Sequence, residues 1–488
     1  MDMQTPDWVR DAIFYQIFPD RFAKSPRVRK PSGLDPWGAP PTHLGYQGGD
    51  LVGVVEHLDH LESLGVDAIY FTPIFQSASN HRYHTHDYER VDPMLGGDAA
   101  LRMLLDAAHD RGMKVVLDGV FNHASRGFFP FHDILENGEK SAYLDWFQIH
   151  GFPLNAYDHE AEPRYGAWWN LHALPKFEIR TPAVRDYLLG VARKWVDFGI
   201  DGWRLDVANE IDDDDFWREF RRVVRAGNPD AYIVGEVWHD ARRWLGGDMW
   251  DAVMNYLFTR ACIAFFIGEN VDRSELARTS FRTLDPIGAP AFRAAIEKVE
   301  GLYRPEVVAV QMNLLGSHDL SRFLTLARGD ESALRLATLF QMTYTGAPSI
   351  YYGDEIGMTG GHDPANRGAF PWDRPESWNR PLLDHFRDLI RLRRSSVALR
   401  RGGLDWIRAE GDAIAYLRHT PEEVALVVIN TGLRECELAL ASPRLAAVAS
   451  LRDTVSGETH AVESSTVRGA VRVAARSGRI FVSRTVDA

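Results

Sequence analysis

Eight short apolar runs dominate the chain up to residue 353, and this pattern constrains the fold more than any other feature. The runs are residues 12–18, 68–72, 115–118, 202–206, 232–236, 252–255, 312–315 and 349–353. Segments with helical periodicity lie between many of them, at residues 51–64, 98–111, 182–198 and 331–343. Strands that alternate with helices are typical of parallel β/α units. Eight such units predict an α/β fold with a closed (β/α)₈ TIM barrel. An open doubly wound sheet is the alternative, although no glycine-rich phosphate loop follows the first run.

Two regions depart from this alternation. The first, residues 122–181, is rich in aromatic residues, glycine, proline and histidine and has little periodicity. We therefore predict a subdomain inserted after the third strand. The other, at the end of the chain, has short strand-like runs separated by turn signals, which predicts an antiparallel β-sandwich domain. The predicted organisation is barrel residues 1–121, inserted subdomain 122–181, barrel residues 182–394 and C-terminal β domain 395–488.

Composition excludes several function classes. The net charge of −13 argues against a nucleic-acid partner and against an anionic membrane surface, because both favour a basic protein. No apolar stretch approaches the length of a membrane span, and the first residues lack the pattern of a signal peptide, so we expect a cytoplasmic protein. Cys262 and Cys436 are expected to be small buried residues rather than a disulfide.

Charged and polar residues stand at the ends of several predicted strands. Their positions are Asp118, Asn122 and His123 at the third run, Arg204 and Asp206 at the fourth, Glu236 at the fifth, and His318 and Asp319 after the seventh. Buried carboxylates are costly unless they face a partner. Because the carboxyl ends of all barrel strands meet at one mouth, we expect these residues to converge there.

Several acids around one cleft suit glycoside hydrolysis, which needs two carboxyl groups. Arg204 lies two residues before Asp206, so both side chains point the same way from a strand, and the guanidinium is expected to keep Asp206 ionised as a nucleophile. Glu236 has only His239 as a near ionisable neighbour in the sequence, so it is expected to hold its proton as an acid. The predicted reaction retains the anomeric configuration.

Other interpretations of these residues stay open at this point. Any single histidine or strand-end carboxylate is often structural. A metal site is a rival, since Asp118, His123, Asp206, Glu236, His318 and Asp319 are plausible ligand types, but no H-E-x-x-H motif supports it. Sugar binding is favoured by aromatic residues in loops predicted to lie at the mouth: Tyr83, Trp168, Trp169 and Trp238.

Four stretches resemble the signature motifs of the α-amylase family of glycoside hydrolases (family 13). They are DGVFNH (118–123), GWRLDVANE (202–210), GEVW (235–238) and LLGSHD (314–319). The resemblance implies a (β/α)₈ barrel with a subdomain after the third strand and a C-terminal β domain. It also implies roles: Asp206 as nucleophile, Glu236 as acid/base, Asp319 as transition-state stabiliser, Arg204 as the residue that orients Asp206, and His123, His318 and Asp118 as ligands of the glucose ring.

Within the family the chain looks most similar to the cyclomaltodextrinase, neopullulanase and maltogenic amylase group. The similar stretches include FYQIFPDRF, YFTPIF, GEVWHDA and YYGDEIGMTGG. This resemblance implies a ring-binding His81, a stacking Tyr83 and an aromatic platform at Trp238 on the leaving-group side. It further implies an Asp363–Arg367 pair on the non-reducing side, and it places Asn209 and Glu210 on the leaving-group side.

Three departures from the group qualify these expectations. The group usually has an N-terminal domain, whereas this chain begins almost at the first strand, so we expect it to lack that domain and leave monomer or homodimer open. The stretch LPKFE (174–178) stands where the group has a sequence resembling MPKLN. FAKSPRVRKPSG replaces the calcium loop of some relatives, so no cofactor or metal is expected to be required and the sequence does not support a structural Ca²⁺.

The resemblance implies double-displacement hydrolysis of α-1,4 and also α-1,6 glucosidic bonds, with some transglycosylation. The expected partners are α-glucans: cyclodextrins, pullulan, starch and maltooligosaccharides. The alternatives are an α-glucosidase or glucan transglycosylase acting on short linear maltooligosaccharides, and a catalytically inactive barrel that only binds.

Overall fold

The computed structural model describes residues 4–158 and 160–484. Eight parallel strands form one sheet. In chain order they are Phe14–Ile17, Ala68–Phe71, Lys114–Gly119, Gly202–Leu205, Tyr232–Gly235, Ala252–Val253, Met312–Leu314 and Ala347–Tyr351. We refer to them as barrel strands one to eight. Each overlaps one of the apolar runs, so the prediction of eight strands is confirmed.

The sheet closes on itself. Consecutive strands pair in parallel from the first to the sixth, and the eighth strand pairs with both the first and the seventh. An isolated parallel bridge between Met254 and Met312 joins the sixth strand to the seventh. The predicted TIM barrel is therefore confirmed, and the open doubly wound sheet was the wrong alternative.

Helices surround the barrel. The α-helices are Trp8–Asp11, Pro19–Phe22, Leu51–Glu56, Leu58–Leu64, Gly97–His109, Phe129–Asn137, Pro182–Phe198, Asp214–Gly227, Tyr256–Cys262, Arg273–Leu276, Ala289–Gly301, Pro305–Val308, Phe323–Leu326, Glu331–Thr343, Arg380–Ser395 and Val397–Arg401. Across residues 4–158 and 160–484, none of them combines the length and apolarity that crossing a membrane requires. Cys262 is a buried free thiol and Cys436 is a half-buried one.

The helix Pro182–Phe198 illustrates how local sequence sets these boundaries. Pro182 begins the helix, where its missing N–H costs nothing, and Gly199 ends it in the left-handed region at φ 114°. Its buried residues, among them Leu188 and Trp195, recur with helical spacing. The helix thereby returns the chain to the start of the fourth strand. Asp206 follows the end of that strand and so lies at the mouth.

The segment between the third strand and Pro182 packs beside the barrel mouth. It contains the helix Phe129–Asn137 and short bridges, including His123 to Lys176 and Ala167 to Pro175. Aromatic side chains form its core, which explains its compactness despite weak periodicity: Phe128, Phe131, Phe147, Tyr165 and Phe177. The boundaries that we gave for this subdomain and its neighbours stay a proposal.

The end of the chain forms an antiparallel seven-stranded sheet and a separate two-stranded sheet. The seven-stranded sheet contains Gly403–Glu410, Ala413–His419, Glu423–Asn430, Ser450–Asp453, Thr459–Glu463, Thr466–Val467 and Ser477–Arg484, and the other contains Cys436–Leu438 and Val471–Val473. Apolar residues between the two sheets form a small core, as the predicted β-sandwich requires. The strand-like runs predicted for this region lie at residues 413–417, 424–430, 435–439 and 479–483. Gly403–Glu410, which has no fully buried residue, and the strands between residues 450 and 473 were not predicted.

A buried arginine joins the helix Arg380–Ser395 to the end of the helix Glu331–Thr343 and to the short helix Val397–Arg401. Arg393 is fully buried and donates to the carbonyl oxygens of Met342, Tyr344, Gly346 and Leu399 at 2.6–3.1 Å. Burial lowers the pKa of Arg393 to about 9. Three of these bonds satisfy carbonyl groups in and after the last turn of Glu331–Thr343, where the helix itself supplies no further donors.

We expect Arg393→Met to lower the free energy of unfolding by about 3 kcal/mol, because several buried carbonyls lose a charged donor at once. Urea unfolding followed by circular dichroism measures the effect. Arg391→Met is the matched control, because Arg391 lies on the same helix, is 75% exposed and pairs with exposed Asp388. Equal stability of the two variants would contradict the structural role of Arg393.

Candidate active site

The strand-end residues meet at the carboxyl end of the barrel. Asp118 lies within the third strand and Arg204 within the fourth. Asp206 and Glu236 each follow directly after a strand, and Asp319 comes shortly after the seventh. The predicted convergence is therefore seen in the structure, although these residues lie far apart along the chain.

Arg204 lies at the centre of this cluster and is fully buried. Its Nη1 donates to both carboxylate oxygens of Asp118, at 3.0 and 2.9 Å, and to Oδ1 of Asp206 at 2.9 Å. Its Nη2 lies 2.9 Å from Oε2 of Glu236. One guanidinium therefore contacts three carboxyl groups and holds Asp206 and Glu236 at its two terminal nitrogens.

The electrostatics differ from the sequence-based expectation in two ways. Burial raises the pKa of Asp206, and Arg204 only partly offsets it, so the guanidinium alone does not decide the ionisation of this group. Glu236 was expected to lack charged neighbours, which is wrong because Arg204 contacts it, whereas His239 is exposed and its Nδ1 lies 3.0 Å from the Asp240 carbonyl oxygen. Only the folded chain brings Arg204 to Glu236.

Burial also raises the pKa of the other two acids of the mouth. The pKa of Asp118 rises to about 6 although Arg204 lowers it, and the pKa of Asp319 rises although Arg367 and Arg204 lower it. Four carboxyl groups thus surround a site with few cations. Burial in one site therefore opposes the simultaneous ionisation of Asp118, Asp206 and Asp319.

Each carboxylate oxygen of Glu236 accepts one hydrogen bond, whereas its contact with Nη2 of Arg204 is an ion pair without hydrogen-bond geometry. The backbone N–H of Val207 donates to Oε2 at 2.9 Å, and Nε1 of Trp238 donates to Oε1 at 3.0 Å. Val207 adopts a left-handed conformation at φ 38°, which is rare for a β-branched residue. Nothing in the sequence pattern signals this turn.

His318 is fixed by two partners in the barrel. Nε2 of Gln16 lies 2.8 Å from its Nδ1, and the hydroxyl of Tyr83 lies 2.6 Å from its Nε2. With the Gln16 amide donating, the ring proton is assigned to Nε2. Tyr83 and Tyr70 each donate to Oδ2 of Asp118 at 2.9 Å. Gln16 and Tyr70 were not predicted as site residues; their polar groups within apolar runs were the available signal.

His123 is a buried histidine next to the inserted subdomain. Its Nδ1 lies 3.1 Å from Nδ2 of Asn122, while Nε2 is buried and has no hydrogen-bond partner in the described part of the chain. Burial lowers the pKa of His123 to about 3, so the ring is neutral at pH 7. The ring stacks on Trp168 at 5.4 Å. His81 lies nearby, where its Nδ1 accepts from the N–H of Tyr83.

A second basic group stands on the opposite side of the mouth. Nη1 of Arg367 lies 2.8 Å from Oδ1 of Asp363, and Nη2 lies 3.7 Å from Oδ1 of Asp319. Nε of Arg367 donates to the carbonyl of His318 at 3.0 Å, which fixes the guanidinium. The predicted Asp363–Arg367 pair is therefore present, and it joins the Asp319 side of the cluster.

The other predicted residues lie in two places: Glu210 contacts the inserted subdomain, whereas Trp238 packs against the helix Tyr256–Cys262. Asn209 and Glu210 are in the short 3₁₀ turn Ala208–Glu210, where Glu210 is exposed and its Oε2 lies 3.2 Å from Nζ of Lys176. Trp238 stacks on Tyr256 with ring centroids 3.6 Å apart. Trp169 is 76% exposed and stacks on Trp168 at 4.5 Å.

The metal alternative gains no support. Over residues 4–158 and 160–484, no group of three or more His, Cys, Asp and Glu side chains is arranged to hold a metal ion. The acids that could have been ligands instead face Arg204, Arg367 and tyrosine hydroxyls.

Comparison with known proteins agrees with this geometry. The model of the α-amylase catalytic domain matches residues 16–388. A cyclomaltodextrinase of a Bacillus species is 48% identical over 88% of this chain and 74% of its own. Neopullulanase 2 of Thermoactinomyces vulgaris is 46% identical over 87% and 70%.

Two solved structures of similar length superpose closely. Ttha1563 from Thermus thermophilus has a TM-score of 0.92 and 46% identity, covering 98% of this chain and 100% of the other. The debranching enzyme of Nostoc punctiforme has a TM-score of 0.90 and 46% identity, covering 99% and 100%. With the barrel, the acid cluster and these relatives in agreement, the chain belongs to the α-amylase family of glycoside hydrolases.

Proposed function

We propose that the chain hydrolyses α-1,4-glucosidic bonds in α-glucans by double displacement. The observation that carries the proposal is the placement of Asp206 and Glu236 at the two terminal nitrogens of the buried Arg204 guanidinium. Retaining glycosidases need a nucleophilic carboxylate and a proton-donating carboxyl on the two sides of the scissile bond. We assign the first role to Asp206 and the second to Glu236.

The proposed reaction has two steps. Glu236 gives its proton to the glycosidic oxygen while Asp206 attacks the anomeric carbon, and a covalent glucosyl intermediate forms. Glu236 then takes a proton from water, whose oxygen attacks the same carbon and releases Asp206. Asp319 stabilises the positive charge that develops on the sugar ring, and Arg204 orients Asp206.

The remaining polar groups suit the hydroxyls of one glucose ring. The unpartnered Nε2 of His123 is a buried donor that a sugar hydroxyl would satisfy. We assign ring binding to this group together with His318, Asp118, His81 and a stacking Tyr83. On the same basis Asp363 and Arg367 would contact the non-reducing side, and Trp238, Asn209 and Glu210 the leaving-group side.

Cleavage of α-1,6 bonds is the second candidate. The Nostoc punctiforme protein that this chain matches over its full length is named a debranching enzyme. The cyclomaltodextrinase and neopullulanase relatives match over about three quarters of their own length or less. Transfer of the intermediate to a sugar hydroxyl instead of water would use the same residues.

A side-by-side assay tests the proposal. We expect release of small maltooligosaccharides from β-cyclodextrin, pullulan, soluble starch and maltooligosaccharides, with products resolved by chromatography at low and high maltose. Release of maltotriose from pullulan, or faster cleavage of starch branches than of linear chains, would select the α-1,6 reaction, whereas trisaccharides that keep an α-1,6 bond would select the α-1,4 reaction. Dominant transfer products at high maltose would select transglycosylation. No cleavage of any of these α-glucans would contradict the proposed function.

A further inference from the structure

The two carboxylate oxygens of Glu236 are held in different ways. Oε2 accepts the backbone N–H of Val207 at 2.9 Å and also lies 2.9 Å from the cationic Nη2 of Arg204. Oε1 accepts the neutral indole N–H of Trp238 at 3.0 Å. This asymmetry bears on which oxygen can carry a transferable proton.

The partners of Oε2 cannot move away. Arg204 is fully buried, and its Nη1 donates to both carboxylate oxygens of Asp118. The N–H of Val207 belongs to the backbone of a left-handed turn at φ 38°. A proton on Oε2 would face the N–H of Val207 and the positive charge of Arg204 at 2.9 Å, so it would weaken both of these interactions of the carboxylate. Oε1 is therefore the favoured site for the proton.

Packing sets the orientation of Trp238. The indole stacks on Tyr256 with the rings 3.6 Å apart at 7°, and Phe281 lies 5.6 Å away at 54°. These contacts aim Nε1 at Oε1 of Glu236, two residues earlier in the chain. The indole thus contributes a donor to the acid, in addition to any surface that it offers to a sugar.

We propose that Oε1 of Glu236 carries the catalytic proton and that Trp238 is a positioning residue, whose indole N–H orients Oε1 and stabilises the carboxylate that proton transfer creates. The proposal rests on the function proposed above. In the first step the O–H bond of Oε1 breaks, its electron pair stays on Oε1, and the proton passes to the glycosidic oxygen. In the second step Oε1 takes a proton from water. Trp238 donates throughout and exchanges no proton.

The proposal predicts a shift in pH dependence. The charged and titratable groups that face Glu236 are Arg204, Asp206 and Tyr256. A donor to the carboxylate favours its ionised form, so loss of the indole N–H lets the acid keep its proton to higher pH. The alkaline limb in the pH profile of kcat/KM reports Glu236 in the free enzyme. In the variant, the midpoint of this limb should shift to higher pH.

The test is Trp238→Phe, which keeps an aromatic ring against Tyr256 and removes the N–H. We expect kcat/KM for maltotriose to fall about tenfold to thirtyfold, carried mainly by kcat, with the alkaline limb raised by about half a pH unit. With 4-nitrophenyl α-maltoside, whose leaving group needs little protonation, we expect a loss of about threefold or less. The control is Trp244→Phe, because Trp244 is buried, stacks on Trp250 and has no partner for its Nε1 within the described residues.

The outcomes are distinct. A selective loss on maltotriose with the shifted limb supports the proposal. Equal losses on both substrates through a higher KM, or an unshifted profile, would overturn it and leave Trp238 as a sugar-binding surface only. A wild-type protein that cleaves neither substrate would overturn the proposed function itself, whereas an active wild type with an unaffected Trp238→Phe variant overturns the role of Trp238 alone.

Discussion

Asp206→Asn is expected to lower kcat for α-glucan hydrolysis by about 10⁴-fold or more, because the amide cannot form the covalent intermediate. The variant should fold normally. The introduced amide keeps an oxygen that can accept from Nη1 of Arg204, as Oδ1 of Asp206 does at 2.9 Å. Rates of maltotriose hydrolysis, measured by chromatography at saturating substrate, give the size of the loss.

The same substitution should not destabilise the protein. Burial and the neighbouring acids Glu236 and Asp118 raise the pKa of Asp206, so its charge opposes folding wherever it is ionised. Relative to the neutral amide of the variant, the cost of Asp206 begins as pH rises past its ordinary pKa, grows until pH passes the raised pKa of the folded protein, and stays constant above it. We therefore expect a thermal midpoint at pH 7 equal to or above that of the wild type.

Asp212→Asn is the matched control. Asp212 lies in the same connection, and its 77% exposed side chain pairs with Arg243 at the surface. It should change neither kcat nor the thermal midpoint. Activity of Asp206→Asn within about tenfold of the wild type would remove Asp206 from the role of nucleophile.

Glu236→Gln is expected to lower kcat/KM for maltotriose by about 10³–10⁴-fold, since the amide can neither donate the proton nor accept it from water. The first step should survive with 4-nitrophenyl α-maltoside, whose leaving group departs without an acid. Nitrophenol release, followed by stopped flow, should then show a burst and a slow steady state. The covalent intermediate accumulates because the variant has no general base to activate water.

Adding azide to the Glu236→Gln variant provides a second test of the acid/base role. A small anion attacks the intermediate without a general base, so azide should restore turnover and yield an α-configured glycosyl azide, identified by NMR. Glu297→Gln is the control, because Glu297 is 44% exposed and pairs with Arg293 on the helix Ala289–Gly301. If activity on both substrates fell to the same extent and azide had no effect, the role of Glu236 as acid/base would be contradicted.

The architecture could be predicted because its signal is local. Each barrel strand coincides with a short apolar run, and the helix Pro182–Phe198 has its proline at the start and Gly199 at its end. Sequential strands of a parallel barrel are also neighbours in space, so chain order implied sheet order. The edge strand Gly403–Glu410 escaped prediction because its half-exposed residues carry no such pattern.

The members of the site could be predicted as residues but not as contacts. Asp118, Arg204, Asp206 and Glu236 stand out as charges at strand ends, and the family motifs name their roles. Whether Arg204 and the backbone N–H of Val207 reach Glu236 depends on how the fourth and fifth strands sit side by side. Those distances join different segments of the chain, so no local pattern encodes them.

By itself, the sequence determined the eight-stranded barrel, the family and the strand-end acids, because apolar periodicity and short motifs are properties of neighbouring residues. The tertiary structure alone decided the electrostatic state of the site. It buried Asp206 so deeply that its pKa rises in spite of Arg204, and it placed Gln16 against His318 and the left-handed turn of Val207 against Glu236. The physical reason is that desolvation and hydrogen-bond geometry depend on everything packed around a group, which only the folded chain specifies.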